Sequence, residues 1–313
     1  MHAGLQGLLA GSPCIRSAAE SDAVWDKFIP PVTYTILSQS NSLSSTPPKS
    51  EELYMALCDN PVLIDEGNMS FSLDKWSGKK CYMIAAKRLR IAWGDTPNYW
   101  TRKSLLESRS VHFFHHPFKE AAKLHFVCWL EIRGRIETHM LSPSTTYKAY
   151  LVYKLTKRTY GLDWPAVVKV GARAYGFDYE CPGLKEITTG IKHTAILVPQ
   201  RKIQGHLARH HEINEVRFPN ESRADGWLEM ELGEFHCQGD EDVKLEMICC
   251  ETSMGKSGLL VQGIESGIPM ASESDYHQFV ATRFERPSGL CACGNGLVWF
   301  NWDTLDDLGQ DTG

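Results

Sequence analysis

Apolar positions repeat at helical spacing only within the first sixty residues of the chain. In Glu20-Ser21-Asp22-Ala23-Val24-Trp25-Asp26-Lys27-Phe28, one helical face carries Val24, Trp25 and Phe28, and Pro30-Pro31 stops the pattern. A second helix is predicted from Ser50, whose hydroxyl suits an N-cap. Glu51 and Glu52 fall in its positive first turn, and Leu53, Ala56 and Leu57 repeat along one side. Residues 38–49, rich in Ser, Asn and Pro, read as a mobile linker between the two.

From about residue 68 the period changes to two. Segments 81–85, 89–93, 127–135, 146–155, 167–174, 194–198, 227–232, 243–249 and 258–264 carry β-type composition. No long helices separate them, which predicts an antiparallel β-sandwich, jelly-roll-like, with a short helical N-terminal segment. In Trp227-Leu228-Glu229-Met230-Glu231-Leu232 the alternation turns Leu228, Met230 and Leu232 inward, and Trp227, Glu229 and Glu231 toward a wet outer face. Ser266-Gly267-Ile268-Pro269 ends the pattern, so the chain divides into a helical segment (1–63), a strand-rich domain (64–265) and an irregular tail (266–313). The tail is acidic and holds one apolar run, Leu297-Val298-Trp299-Phe300.

Composition narrows the class. With 313 residues, 42% apolar and 23% charged, the chain has the make-up of a globular protein. A net charge of −5 gives no global attraction to nucleic acid or an anionic membrane. Lys79-Lys80 and Lys87-Arg88-Leu89-Arg90 are local spots of the kind that solvate a strand edge. No apolar run reaches the roughly 20 residues of a membrane span, and Leu8-Leu9-Ala10 is too short for a signal core, so the expectation is a protein of the cell interior. The ten cysteines are scattered apart from Cys249-Cys250 and the pair Cys291 and Cys293, without zinc or disulfide spacing, and buried free thiols are expected. The His112, His115, His116 and His206, His210, His211 groups lack a partnering carboxylate or Cys at ligand spacing, so neither a metal nor a cofactor is predicted.

Candidate chemistry concentrates in Ile91-Ala92-Trp93-Gly94-Asp95-Thr96-Pro97-Asn98-Tyr99-Trp100, where three large rings flank a turn-forming sequence. Turns lie at the surface, and rings on a turn suit flat ligands such as pyranoses, whose C–H face stacks on an aromatic ring while rim hydroxyls meet polar groups. The alternative is structural, with Trp93 ending a strand and packing in the core.

The turn is one of five ordered blocks that resemble the plant phloem protein 2 family, including the tobacco lectin Nictaba. The others are Val127-Cys128-Trp129-Leu130-Glu131-Ile132-Arg133-Gly134-Arg135-Ile136, Thr146-Tyr147-Lys148-Ala149-Tyr150-Leu151-Val152-Tyr153-Lys154, Asp225-Gly226-Trp227-Leu228-Glu229-Met230-Glu231-Leu232-Gly233-Glu234-Phe235 and Ser257-Gly258-Leu259-Leu260-Val261-Gln262-Gly263-Ile264-Glu265. The resemblance covers about residues 68–265. It implies a β-sandwich lectin of the cytosol and nucleus that recognises N-acetylglucosamine oligomers or N-glycan cores. By the same resemblance Trp93 and Trp100 are the sugar-stacking walls, Tyr99 and Asn98 stand beside them, and Glu251 accepts a hydroxyl. A second acidic position of the family's site corresponds to Lys244, a departure that bears on glycan preference.

The N-terminal region resembles part of an F-box. The stretch 18–31 is similar to its closing helix, and Lys49-Ser50-Glu51-Glu52-Leu53-Tyr54-Met55-Ala56-Leu57-Cys58-Asp59-Asn60-Pro61-Val62-Leu63 to the link between F-box and lectin in that branch of the family. Complete members are substrate receptors of SCF ubiquitin ligases. The opening Leu-Pro segment that docks on the Skp adaptor is not found in residues 1–17, so this sequence by itself is expected not to hold the adaptor. A glycosidase is the enzymatic alternative and needs two carboxylates flanking one bond; Glu131, Glu229, Glu231 and Glu251 supply them in number only. No nucleophile elbow, P-loop or dinucleotide motif is present. The reading is a non-enzymatic lectin whose partners are glycans or glycoproteins.

Overall fold

The computed structural model describes residues 21–39, 49–105, 118–172, 187, 189–203, 216–221, 226–239, 242–268, 291–292 and 297–298. Among the described residues three short helices come first: α1 (Asp22–Trp25), α2 (Val32–Gln39) and α3 (Ser50–Asp59). The strands are β1 (Val62–Ile64), β2 (Met69–Leu73), β3 (Lys80–Ala85), β4 (Arg90–Ile91), β5 (Trp100–Ser104), β6 (Glu120–Leu124), β7 (Leu130–Glu137) and β8 (Thr145–Tyr160). They continue as β9 (Ala166–Ala172), β10 (Lys192–Ala195), β11 (Val216–Arg217), β12 (Leu228–Cys237), β13 (Lys244–Glu251) and β14 (Ser257–Gly267).

Two curled sheets face each other. In the first, β14 pairs with β8 along one edge and is shared on the other edge by β3, through Gly263 to Ser266, and by β6, through Leu260 and Val261. From there the sheet runs outward through β2 and β1, through β5, and through β8 to β12. The second sheet has the order β11-β10-β9-β13-β7-β4, antiparallel except for β10 with β11. Period-two alternation places Leu151, Tyr153, Met230, Leu232, Leu259 and Val261 of the first sheet against Leu130, Ile132, Val168, Val170, Met247 and Cys249 of the second, all in one core. The antiparallel sandwich predicted from the alternation is therefore observed.

The helical segment is packed against this sandwich. Ile29, Ile36, Leu37, Leu53, Tyr54 and Leu57 belong to the same core, and Trp25, Phe28 and Tyr54 form a ring cluster with centroids 5.4–6.0 Å apart. Helix α2 is absent from the sequence prediction, which ended the helical pattern at Pro30-Pro31. A proline just before the first turn favours a helix start, since its fixed φ fits and its missing N–H is not needed there. Ser50 is not the cap of α3 but its first residue. Its N–H donates to Asp22 Oδ1 at 3.0 Å and its hydroxyl to Asp26 Oδ1 at 2.6 Å, so carboxylates of the first helical region supply the capping acceptors.

Three further expectations are corrected. Strand 89–93 shortens to Arg90–Ile91, because the chain turns at Ala92. Trp227 points away from the main core as predicted yet is buried, in a second apolar cluster with Met83, Ala85, Phe118, Ala121, Val152 and Leu260, and the Lys154 ammonium lies 4.9 Å from its ring centre. The outer face of the first sheet is thus apolar there, not wet. In the tail, β15 (Cys291–Ala292) and β16 (Leu297–Val298) pair with each other as a separate ribbon; Trp299, Phe300 and Trp302 lie outside the described residues.

Candidate functional site

Four connections meet at one end of the sandwich: β4–β5 (92–99), β6–β7 (125–129), β8–β9 (161–165) and β13–β14 (252–256). They are stitched together by backbone. The His125 N–H donates to the Tyr99 carbonyl at 2.8 Å, and Val127 and Lys256 exchange N–H to carbonyl bonds of 3.0 and 2.7 Å. Thr101 Oγ1 and His125 Nε2 lie 2.8 Å apart.

The β4–β5 connection consists of consecutive tight turns. Gly94 N–H donates to Ile91 O, Thr96 N–H to Trp93 O and Tyr99 N–H to Thr96 O, each at 2.9 Å. Trp93 sits in the left-handed region with φ 61°, a conformation that a bulky side chain rarely adopts and that costs on the order of 1–2 kcal/mol. A Cβ at Gly94 would meet the Ile91 carbonyl at 2.9 Å, so the turn also depends on that glycine. The outcome is an indole 58% exposed, set edge-on to Tyr99 with ring centres 6.1 Å apart at 62°. Tyr99 is 39% exposed, and Asn98 is exposed beside it.

The sequence assigned Trp93 and Trp100 the same role, the two walls of one site, and the structure sets them apart. Trp93 does not end a strand and does not enter the core. Trp100 opens β5 and lies in the core, 3% exposed, and its indole N–H has no acceptor. Its backbone N–H bonds to the Thr96 carbonyl at 3.0 Å, and its ring packs in the core instead of forming an open wall.

Glu251 is also corrected. It is buried at the end of β13, its carboxylate closed by the Lys256 ammonium and by the N–H (2.6 Å) and hydroxyl of Ser253. Lys256 is fully buried, donates to the carbonyls of Cys128 (2.8 Å) and Met254, and burial pulls its ammonium below the ordinary lysine value. The pair fixes the β13–β14 turn and offers little of itself to a ligand. Lys244 begins β13 while Glu251 ends it; seven residues at ~3.3 Å each separate them by roughly 23 Å. Lys244 therefore has no part in the aromatic end.

Of the carboxylates weighed for hydrolysis, Glu131, Glu231 and Glu251 are each held by a cation of the fold. Glu131 takes Trp129 Nε1 at 3.2 Å and Arg133 at 2.6 Å, and Arg133 also reaches the buried Glu246 at 3.5 Å. Glu231 lies 3.0 Å from Lys148 and 3.1 Å from Arg217. Among the described residues, Glu137, His139 and Asp242 bring three ligand-type atoms within 4.8 Å of one another. His139 and Asp242 are exposed and Glu137 is half-buried, His139 Nδ1 is 3.0 Å from Asp242, and Lys244 is 3.8 Å from Glu137, which gives the group the character of a surface ion cluster. The histidine groups at 112–116 and 206–211 lie outside the described residues. Of the cysteines described with their burial, Cys81, Cys237, Cys249 and Cys250 are buried, and burial pushes the Cys249 thiol up to about 12. Such thiols are inert packing groups.

The phloem protein 2 family model matches residues 79–266, from just before β3 to the end of β14. The chain belongs to the phloem protein 2 family. Curated relatives of this phloem protein 2 chain include the F-box protein At2g02240 of Arabidopsis thaliana, 39% identical over 255 residues that cover 81% of this chain and 71% of the relative. F-box protein PP2-B10 of the same plant is 37% identical over 83% of its length and 81% of this chain. Among solved structures, TmCBM61 in complex with beta-1,4-galactotriose aligns with 59% of this chain and 91% of its own, at 11% identity and a TM-score of 0.26.

Sequence reasoning missed Phe126. It is 48% exposed on the β6–β7 connection, one residue beyond the His125 that bonds to Tyr99. The signal was an aromatic residue in the loop immediately before a predicted strand.

Proposed function

We propose that this chain is a lectin of the cytoplasm or nucleus that binds N-acetylglucosamine oligomers or N-glycan cores through Trp93, without chemistry on them. Tyr99 and Asn98 complete the contact, while Trp100 and Glu251 act from behind by holding the two turns. The observation that carries the reading is the strained left-handed backbone at Trp93, which keeps a large indole out of the core. Strain of this kind persists where the surrounding structure over-determines it and is concentrated at ligand-holding sites.

Titration with N-acetylglucosamine trimer tests it. A stacking ring worth ~2 kcal/mol corresponds to about a thirtyfold loss of affinity in Trp93→Ala at 1.4 kcal/mol per decade. The melting temperature is expected to stay within about 2 °C, because the lost ring is exposed and alanine keeps the Cβ that the left-handed backbone already carries. Unchanged affinity in the folded variant sinks the reading.

A second reading, substrate receptor of an SCF ligase for glycoproteins, is favoured by the F-box names of the relatives. It is tested by whether the 313-residue chain captures the Skp adaptor in stoichiometric amount. With the opening F-box motif missing from residues 1–17, the expected result is no capture; stoichiometric association at micromolar concentration establishes the receptor reading.

A further inference from the structure

Sugar stacking at Trp93 and Tyr99 leaves three further rings at the same end of the sandwich without a task. They are Phe126 on the β6–β7 connection, Tyr160 at the last residue of β8 and Trp164 on the β8–β9 connection, each 40–58% exposed. Single exposed apolar residues are commonplace. Here, however, five of the ten large apolar side chains exposed among the described residues are gathered on the strand ends and connections of one end of the fold.

Those connections are joined firmly to one another. The His125 N–H bonds to the Tyr99 carbonyl, and Val127 and Lys256 exchange backbone bonds. Gly161, immediately after Tyr160, lies so close to Gly255 that a Cβ on it would meet the Gly255 carbonyl oxygen at 1.9 Å, and a Cβ on Gly255 would meet the edge of the Phe126 ring at 2.6 Å. Two bare glycine backbones therefore let the β6–β7, β8–β9 and β13–β14 connections close on one another and hold their rings in place.

Charge at this end has the opposite sign to the chain as a whole. Arg102, Lys157 and Arg158 are exposed and Lys123 is half-buried beside them, against Asp95 and Asp163. The Glu251 and Glu131 carboxylates are closed by Lys256 and Arg133. A net charge of −5 for the whole chain thus conceals a cationic end. Rings and cations in company suit the boundary between water and lipid. Trp and Tyr settle at headgroup level, apolar body buried and polar atom hydrated, and Lys and Arg are drawn to anionic headgroups. A fluid lipid surface also adapts to rings carried on separate connections, whereas a folded protein partner needs a shape complementary to them.

We propose that this end of the sandwich is a peripheral docking surface for a membrane rich in anionic phospholipid, with Trp164, Tyr160 and Phe126 entering the headgroup layer and Lys157 and Arg158 meeting its charge. The contact goes beyond the lectin reading and needs no sugar on the membrane.

Co-sedimentation of the full chain with vesicles tests it, using phosphatidylcholine alone and a mixture with about one-third phosphatidylserine, neither of which carries sugar. Wild type is expected to sediment with the anionic vesicles, to stay in the supernatant with the neutral ones, and to be released in about 1 M salt, where the Debye length falls to about 3 Å. Replacing Lys157 and Arg158 together by alanine is expected to weaken sedimentation roughly twentyfold, about fivefold for each cation. Trp164→Ala is expected to weaken it about tenfold. Both cations are exposed, so the charge variant keeps the fold and decides the outcome should Trp164→Ala not fold. Wild type that stays in the supernatant with both kinds of vesicle overturns the membrane surface, as does sedimentation that the charge variant leaves unchanged. Capture of the chain by polyglutamate with no sedimentation by the vesicles overturns it in favour of an acidic polypeptide partner. Sedimentation as expected, in a chain that does not bind N-acetylglucosamine trimer, supports the membrane surface and overturns the Trp93 reading alone.

Discussion

Trp100→Ala is expected to lower the melting temperature by on the order of 10 °C. The ring is 3% exposed and part of the main core, where truncating Trp to Ala costs about 3–5 kcal/mol, and a domain of this size loses roughly 2–4 °C per kcal/mol. Trp100→Phe is expected to cost far less. The indole N–H has no acceptor, so deleting it removes a desolvated donor along with part of the ring, and the two effects oppose. Thermal melts of both variants beside Trp93→Ala give the comparison. If Trp100→Ala melts within about 2 °C of wild type, the ring is not a core element and its place as an open sugar wall is restored.

The sequence could not order these two tryptophans. Trp93 and Trp100 lie on either side of the same turn residues, and the deciding variable, a left-handed φ at a non-glycine residue, leaves no mark in composition. Strands whose alternation is strong were legible: β8, β12, β13 and β14 fall where the period-two pattern places them. Strand β6, Glu120–Leu124, was missed because Glu-Ala-Ala-Lys-Leu is helix-forming by propensity and is strand only because β5 and β14 flank it with open hydrogen-bonding edges. Likewise α2, Val-Thr-Tyr-Thr-Ile-Leu-Ser-Gln, is rich in β-branched residues and is helical because burying Ile36 and Leu37 against the sandwich outweighs that preference. The family block at 93–100 marked the loop that carries both tryptophans, but what separates a ring that faces solvent from one in the core is tertiary.

The same holds for Glu251, which in sequence is one acidic residue among several and in the fold is half of a buried pair. Lys256→Met is expected to destabilise the protein by about 3–5 kcal/mol, because it leaves the Glu251 carboxylate buried without its counter-charge. The Lys256 ammonium also caps the carbonyls of Cys128 and Met254, so its loss loosens the β6–β7 and β13–β14 connections on which Phe126 rests. Adding Glu251→Gln to Lys256→Met removes the uncompensated charge while keeping an acceptor for Ser253, and the double variant is expected to regain roughly half of the loss or more. Denaturant unfolding of the wild type and the two variants decides it. A double variant no more stable than Lys256→Met assigns the cost to lost hydrogen bonds and packing. One that recovers assigns the cost to the Glu251 carboxylate left buried without its counter-charge.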